Sequence, residues 1–275
     1  MTWQVLKVQA FPTKHKMKRE LDIFLTALTF YTRIPSPISI NFEPDYINKA
    51  SRYFPLIGCL IGSISFGAYW LFNLILPSNI AVVLMLIVGV LVTGAFHEDG
   101  LADAADGFGG GWEKSQILTI MKDSRIGTYG SIALVLMFAL KIMLLQNLVA
   151  STTFRSMELL FLACINYHAL ARLTAIVLVF TMPYSREDAS SKVKPIAKTN
   201  TAVEITGAFV FGLLPLGILS WTHPVFLVVL LPLTLLCLGS RRYFFKWIDG
   251  YTGDCLGAVE QLAECLCLLT FVALC

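Results

Sequence analysis

Three aspartates lie close together in one short stretch of the sequence, HEDGLADAADG at residues 97–107. Asp99, Asp103 and Asp106 follow one another at intervals of four and three residues. A helix turns by about 100° per residue, so this spacing places the three carboxylates on one stripe about 60° wide. Carboxylates gathered in this way repel one another unless a cation neutralises them. Oxygen ligands suit Mg²⁺ or Mn²⁺, with phosphate oxygens completing the shell, so the stretch predicts a divalent metal site.

The same stretch contains two other ionisable residues. His97 has the chemistry of a general base or a phosphate contact, although a histidine at a helix boundary is more often a hydrogen-bonded structural residue. Glu98 lies off the aspartate stripe and is expected to be peripheral. For the aspartates themselves, the alternative is that they merely solvate a helix end.

A second motif, MKDSRIGTYG at residues 121–130, combines both charges with two glycines. Lys122 and Arg125 suit anionic oxygens, the arginine in bidentate fashion, and Asp123 offers a fourth carboxylate. The alternative is a basic pair beside the membrane that meets lipid head groups.

Further charged groups lie at and within the last apolar segments. Asp254 comes near the start of a predicted helix, where capping and metal or substrate contact are equally plausible roles. Glu260 and Glu264 lie further inside that segment, and Arg172, with His168 four residues before it, lies inside another. Charge within a membrane span is costly, so these groups are expected to be paired or functional.

The elements that position these residues are expected to be membrane-spanning helices. Hydrophobic residues make up 56% of the 275, charged residues only 14%, and the mean hydropathy is +0.72. A soluble domain averages about 25% charged residues. The net charge of +3 also excludes a disordered chain and a nucleic-acid binder. The composition therefore predicts one all-α, polytopic membrane bundle over residues 1–275, with a basic segment at 1–20.

Seven apolar runs approach the roughly 20 residues that a helix needs to cross a bilayer. They are 54–76, 80–96, 131–149, 157–182, 203–221, 225–239 and 256–275. A shorter amphipathic run at 21–34 is expected to form an interfacial or re-entrant helix.

Basic residues are distributed unequally between the two sides that alternating spans define. Of the Lys and Arg outside the spans, 18 lie on the side of the N-terminus and one, Arg155, lies on the other. This bias predicts that the N-terminus and the three long loops face the cytoplasm. The aspartate stretch belongs to one of these loops. Carboxylates, a divalent metal and basic residues at this face indicate transfer of a phosphorus-containing group by a membrane-embedded enzyme.

Six segments of the sequence carry a resemblance to a known family: 30–35, 54–58, 97–107, 121–130, 182–186 and 251–258. The combination of Asp-Gly-Leu-Ala-Asp-x-x-Asp-Gly and Lys-Asp-Ser-Arg-Ile-Gly is the most specific part. With these motifs the chain resembles the adenosylcobinamide-GDP ribazoletransferase family over nearly its whole length. Family members often have two glycines before the tyrosine that corresponds to Tyr251; here Asp249 takes the first place.

The resemblance implies an integral inner-membrane enzyme of cobalamin biosynthesis. Such an enzyme joins adenosylcobinamide-GDP to α-ribazole or its 5′-phosphate, releases GMP, and yields adenosylcobalamin or its 5′-phosphate. It implies Mg²⁺ as cofactor, and partners in the form of a second copy or other enzymes of the pathway. The resemblance implies that Asp99, Asp103, Asp106 and Asp123 are metal ligands and that Lys122 and Arg125 hold the pyrophosphate, with Arg33, Arg186 and Lys198 lining the mouth of the site. The chemistry of the residues themselves adds Asp103, Asp106 and His97 as candidate catalytic groups that take the proton of the attacking hydroxyl, and Asp254 as a candidate substrate contact.

Two other functions compete with this interpretation. A CDP-alcohol phosphotransferase of phospholipid synthesis also uses clustered aspartates, but its signature has Ala-Arg after the first Asp-Gly and a second Gly-xxx-Asp-xxx-Asp. Here Ala-Asp occurs instead, without that second half. A cation transporter would use Glu260, Glu264 and Arg172. Transporters often contain inverted repeats, and we detect none in this sequence.

Overall fold

The computed structural model describes residues 12–186 and 200–275, with only the backbone of residues 12–15. In these ranges the chain forms eleven α-helices, three short 3₁₀ turns and an isolated β-bridge, and no β-strand. The helices are α1 Pro12–Tyr31, α2 Tyr46–Ala50, α3 Phe54–Asn73, α4 Ser78–Thr93, α5 Phe96–Gly110, α6 Lys114–Ile120, α7 Thr128–Ala150, α8 Met157–Thr181, α9 Ala202–Thr222, α10 Leu230–Ile248 and α11 Gly253–Ala273. The predicted all-α architecture is confirmed.

Six of the helical segments are long and apolar enough to cross a bilayer. They comprise α7, α8, α9 and α11, together with α3 preceded by α2 and a 3₁₀ turn (Tyr46–Asn73) and α10 preceded by a 3₁₀ turn (Pro224–Ile248). The predicted span at 80–96 corresponds to α4, which has only 16 residues and is followed by α5 at an angle of 87°. Gly94 and Ala95 make this bend with positive φ values of 70° and 59°. Within residues 12–186 and 200–275 there are thus six candidate spans, or seven if α4 and α5 form one broken span.

Helix α1 corresponds to the predicted amphipathic run at 21–34, but it begins earlier and includes residues 12–20 of the basic segment. Its apolar face buries Ile23, Ala27 and Tyr31. Glu20 accepts a hydrogen bond from Arg52 over 2.8 Å, which ties α1 to the turn before α3. Predictions for residues 1–11 and for Lys198 lie outside the described residues.

Helix α8 occupies the centre of the bundle and is buried over most of its length. Gly58 and Gly62, four residues apart on α3, face its backbone. A Cβ atom at Gly62 would lie 2.5 Å from the Cys164 carbonyl oxygen, and one at Gly58 would lie 2.6 Å from that of His168. Small residues at this spacing let two membrane helices approach closely and gain van der Waals contact.

Candidate active site

The three aspartates of the first motif lie on α5, as their spacing predicts. Asp99 is exposed, Asp103 is half-buried and Asp106 is 9% exposed. The other faces of α5 bury Leu101 and Ala104. The carboxylates thus follow one side of a short helix that lies beyond the bend, outside the six long spans.

A glycine contact between α5 and α11 brings a fourth carboxylate to this stripe. A Cβ at Gly257 would lie 2.9 Å from the His97 carbonyl oxygen, and one at Gly100 would lie 3.1 Å from the Asp254 Cα. Two backbones can approach this closely only where neither residue has a side chain. The first turn of α11, with Asp254, is therefore held against α5.

Asp254 does not cap α11. The N-cap is Thr252, whose hydroxyl accepts a hydrogen bond from the Cys255 N–H over 3.3 Å. The same hydroxyl also donates to Asp254 over 3.3 Å. Of the two roles considered for Asp254, capping therefore belongs to Thr252.

Arg186 reaches Asp254 through a short pairing of two segments. The Tyr251 N–H donates to the Pro183 carbonyl over 3.0 Å, and the Ser185 N–H donates to the Tyr251 carbonyl over 2.8 Å. This pairing places the Arg186 Nη2 atom 2.8 Å from Asp254 Oδ2. The two motifs around residues 183 and 251 thus form one corner of the site.

The electrostatics of the site show an excess of negative charge. Burial, together with the charges of Asp254 and Asp99, raises the pKa of Asp103 to about 7, and Arg186 acts in the opposite direction. Three carboxylates thus surround Asp103, and Arg186 is the one cation among the described charges that act on it. A site of this kind attracts a cation, because a cation relieves the repulsion that disfavours the ionised form of Asp103.

Asp106 has a second role at the start of α7. Its carboxylate accepts backbone hydrogen bonds from Gly127 over 2.7 Å and from Gly130 over 2.9 Å. A side chain at either glycine would collide with this carboxylate. The glycines of the second motif therefore let the N-terminus of α7 close around Asp106, where a negative charge is favoured.

Two charged residues of the second motif pair with each other at the surface. The Arg125 guanidinium donates to Asp123 over 2.6 Å, and its side chain is 86% exposed. This hydrogen bonding lowers the pKa of Asp123 to about 2. Asp123 is thus engaged by Arg125.

Two further predicted substrate contacts lie at the edges of the site. Lys122 lies near Tyr184: burial raises the pKa of this tyrosine, and the charges of Arg186 and Lys122 act against the rise. Arg33 is exposed and packs over Gly94 at the bend before α5.

His97 lies away from the aspartate stripe. It is 2% exposed, packs near Phe54, and its Nδ1 atom lies 3.8 Å from a Glu260 oxygen. On a helix, two residues correspond to about 200°, so His97 and Asp99 point in nearly opposite directions. The structure therefore does not bring His97 together with the other predicted catalytic residues.

A buried ion network lies on the His97 side of α5. Lys141 pairs with Glu264 over 2.6 Å, and Arg172 pairs with Glu260 over 2.8 Å. His168 contacts Glu264 over 2.6 Å. The expectation that the charges inside the last span are paired is confirmed.

Two members of this network were missed or misplaced by sequence reasoning. Glu98, expected to be peripheral, is buried and accepts a hydrogen bond from Gln261 over 3.3 Å. The buried pairing of Lys141 was predictable, because a lysine inside an apolar span needs a partner.

Only one set of three potential ligand atoms within 4.8 Å of one another occurs among residues 12–186 and 200–275, at His168, Glu260 and Glu264. This set is already neutralised by Lys141 and Arg172. The aspartates of α5 are spaced more widely and form no closed cage. An open arrangement suits Mg²⁺, which usually keeps several waters and binds one or two carboxylates together with substrate phosphates.

Comparisons with known proteins agree on one family. A family model described as cobalamin-5-phosphate synthase matches residues 23–272. An adenosylcobinamide-GDP ribazoletransferase of Shewanella frigidimarina is 44% identical over 94% of this chain and 97% of its own length. A protein of the same description from Shewanella woodyi is 42% identical over 93% of this chain and 97% of its own length. No solved structure shows significant similarity. This chain therefore belongs to the cobalamin-5-phosphate synthase family.

Proposed function

We propose that this protein transfers the adenosylcobinamide-phosphate group of adenosylcobinamide-GDP to α-ribazole or its 5′-phosphate. The acceptor hydroxyl oxygen forms a bond to the phosphorus next to cobinamide, the bond from that phosphorus to GMP breaks, and GMP leaves. The observation that carries this proposal is the convergence of Asp99, Asp106 and Asp254 around Asp103, with Arg186 bonded to Asp254 at the same place. Family membership supports this activity over a CDP-alcohol phosphotransferase.

The carboxylate cluster fits Mg²⁺. Asp99 and Asp103 would hold the ion from the open side of α5, and Asp106 would use the lone pairs that its two backbone hydrogen bonds leave free. When bound, Mg²⁺ supplies positive charge that offsets the pyrophosphate and the departing GMP. Asp123 would join the ligand set only by leaving Arg125.

The remaining residues of the site bind and orient the substrate. Arg186, held by Asp254, presents its guanidinium to phosphate oxygens, and Lys122 lies near the same corner. Arg33 at the bend faces solvent and suits contact with the large corrinoid. The hydroxyl proton passes to an oxygen of the carboxylate cluster. His97 contributes indirectly: it lies against Glu260 of the buried ion network, and this contact helps to hold α5 in position.

We also propose that this site faces the cytoplasm and that the bundle lies in the inner membrane. The asymmetry of 18 basic residues against one, which is obtained when α4 is counted as a seventh span, supports this orientation. Arg242 and Lys246 at the end of α10 lie on the predicted cytoplasmic side. In a variant whose seven native cysteines, including the exposed Cys275, are replaced by serine, a cysteine placed at Asp249 should react with an impermeant maleimide only after inside-out vesicles are prepared. Reaction in intact spheroplasts would contradict the orientation.

The activity is tested with the purified protein in nanodiscs. GMP release from adenosylcobinamide-GDP and α-ribazole should require Mg²⁺ and stop in EDTA. Asp103→Asn should lower the rate at least about 100-fold, whereas Asp249→Asn, an exposed aspartate paired with Lys114, should retain it. Release of CMP from a CDP-alcohol without GMP release, or full activity of Asp103→Asn, would overturn the proposal.

A further inference from the structure

An apolar groove of about 510 Å³ lies between α5, α10 and α11, outside the site described above. Leu101 and Ala105 of α5 form its floor, Leu235 and Gly239 of α10 form one wall, and Leu262 of α11 belongs to the other. Leu235 is 61% exposed and Leu262 is 45% exposed. The groove is therefore open to the surroundings of the bundle.

Small residues keep the groove open. The α5 floor includes Ala104 and Ala105. A Cβ at Gly239 would have no atom within 4 Å, so the space in front of this glycine is empty. At one end the groove is closed by Phe108, whose ring stacks on Phe244 with 5.5 Å between centroids. The result is a slot with an apolar interior, a shape that suits a hydrocarbon chain.

Basic residues lie beside the closed end of the groove. Arg242 and Lys246 are one helical turn apart on α10, and both are exposed. Their position next to Tyr243, which lines the groove, places them at its edge. Lys246 lies over the Trp247 ring, 5.2 Å from its centroid. Among residues 12–186 and 200–275, no carboxylate forms an ion pair with Arg242 or Lys246, since the nearby Asp249 pairs with Lys114.

We propose that this groove binds an anionic phospholipid. The acyl chain occupies the slot, and the headgroup phosphate contacts Arg242 and Lys246. Charge complementarity favours an anionic lipid over a zwitterionic one, because two cations that no described carboxylate pairs with lie at the edge, and each contributes attraction to an anionic headgroup. An arginine can bind a phosphate in bidentate fashion. A second copy of the chain fits less well, because a symmetric contact would bring the two basic edges towards each other.

The groove lies against the helix that carries the carboxylates, α5. Leu101, Ala104 and Ala105 on the groove side alternate with Asp103 and Asp106 on the stripe. A bound acyl chain therefore packs against the back of the helix that carries the carboxylates. The proposal depends on the fold and on the charges of α10, and not on the reaction assigned to the protein.

Lipid binding is tested without an activity assay. Purified protein in zwitterionic nanodiscs is titrated with phosphatidylglycerol that has a photoreactive acyl chain, and cross-linked peptides are identified by mass spectrometry. We expect cross-links at Leu235 or Leu262 in the wild type, with unlabelled phosphatidylglycerol competing and phosphatidylcholine competing at least about tenfold less well.

Two independent variants and one control decide the outcome. Gly239→Leu fills the slot, and its control Gly217→Leu adds the same side chain on α9, where a Cβ also meets nothing within 4 Å. The double variant Arg242→Gln/Lys246→Gln removes the headgroup contacts without touching the core. We expect each to lower cross-linking about tenfold or more, and Gly217→Leu to leave it unchanged. Wild-type cross-linking in both the groove and charge variants, or equal competition by phosphatidylcholine, would overturn the proposal.

Discussion

Asp106 is predicted to have two roles that substitutions can separate. As a helix cap it accepts hydrogen bonds from the N–H groups of Gly127 and Gly130. As a metal ligand it contributes negative charge beside Asp103. Asparagine keeps one acceptor oxygen and caps helices about as well as aspartate, but it has no charge. Alanine removes both the acceptor and the charge.

The structure sets the size of the expected effects on stability. Asp106 lies on α5 but accepts hydrogen bonds from the first turn of α7, as an N-cap side chain does. Replacing an N-cap aspartate by alanine costs about 0.5–2 kcal/mol. Asp106 accepts from two N–H groups, one of them on the buried Gly130. Leaving a buried donor unpaired adds about 1–3 kcal/mol. We therefore expect Asp106→Ala to lower the free energy of unfolding by about 2–4 kcal/mol, and Asp106→Asn by about 1 kcal/mol.

The assay combines unfolding with the Mg²⁺ dependence of GMP release. Asp106→Asn should stay folded but need at least about tenfold more Mg²⁺ for half-maximal activity. Asp103→Asn is the matched control for charge. It should lose activity without losing stability, because removing this charge relieves repulsion from Asp254 and Asp99. If Asp106→Asn has the Mg²⁺ dependence of the wild type, Asp106 is not a metal ligand. If Asp106→Ala is as stable as the wild type, Asp106 does not stabilise the start of α7.

Three other predictions concern packing, pH and buried charge. Gly62→Ala should lower the free energy of unfolding by about 1–3 kcal/mol, because its Cβ would lie 2.5 Å from a carbonyl oxygen of α8; Gly67→Ala on the same helix meets no atom within 4 Å and should not, as SDS titration would show. Since the pKa of Asp103 is about 7, protons compete with Mg²⁺ below that pH. The Mg²⁺ concentration for half-maximal GMP release should rise about tenfold per pH unit below 7 and stay flat above 8; a flat response throughout would contradict this competition. Lys141→Met should destabilise the bundle by about 3–5 kcal/mol, since it leaves Glu264 without its closest cation, whereas exposed Lys18→Met should have little effect in the same titration.

The sequence predicts most of the helices and the aspartate stripe, because both depend on local periodicity. The same periodicity already places His97 about 200° from Asp99, so its separation from the stripe was predictable too. The extent of α10 was not predictable from hydropathy. The apolar run ends at Gly239 because charged residues follow, but the helix itself continues to Ile248. Hydropathy reports contact with lipid, whereas helix length depends on backbone hydrogen bonding.

Contacts between distant segments could not be predicted in this way. Asp254 reaches the stripe because Gly100 and Gly257 allow α5 and α11 to touch. No local pattern connects these two glycines. The structure also explains why Asp249 can replace the glycine that family members often have there. Asp249 ends α10 with a φ of 56°, a conformation that favours glycine and that aspartate also tolerates.

The buried network and the carboxylate stripe are best understood as two faces of one helix. His97 and Glu98 at the start of α5 are buried beside the ion pairs of α8 and α11, and this fixes the rotation of α5 about its axis. If α5 turned by one residue, about 100°, Glu98 would lose its contact with Gln261 and Asp103 would no longer lie beside Asp254. An uncompensated charge in an apolar interior costs several kcal/mol. The charges buried inside the membrane span therefore act at a distance: by holding α5 in one orientation, they keep its carboxylates together at the end of the bundle.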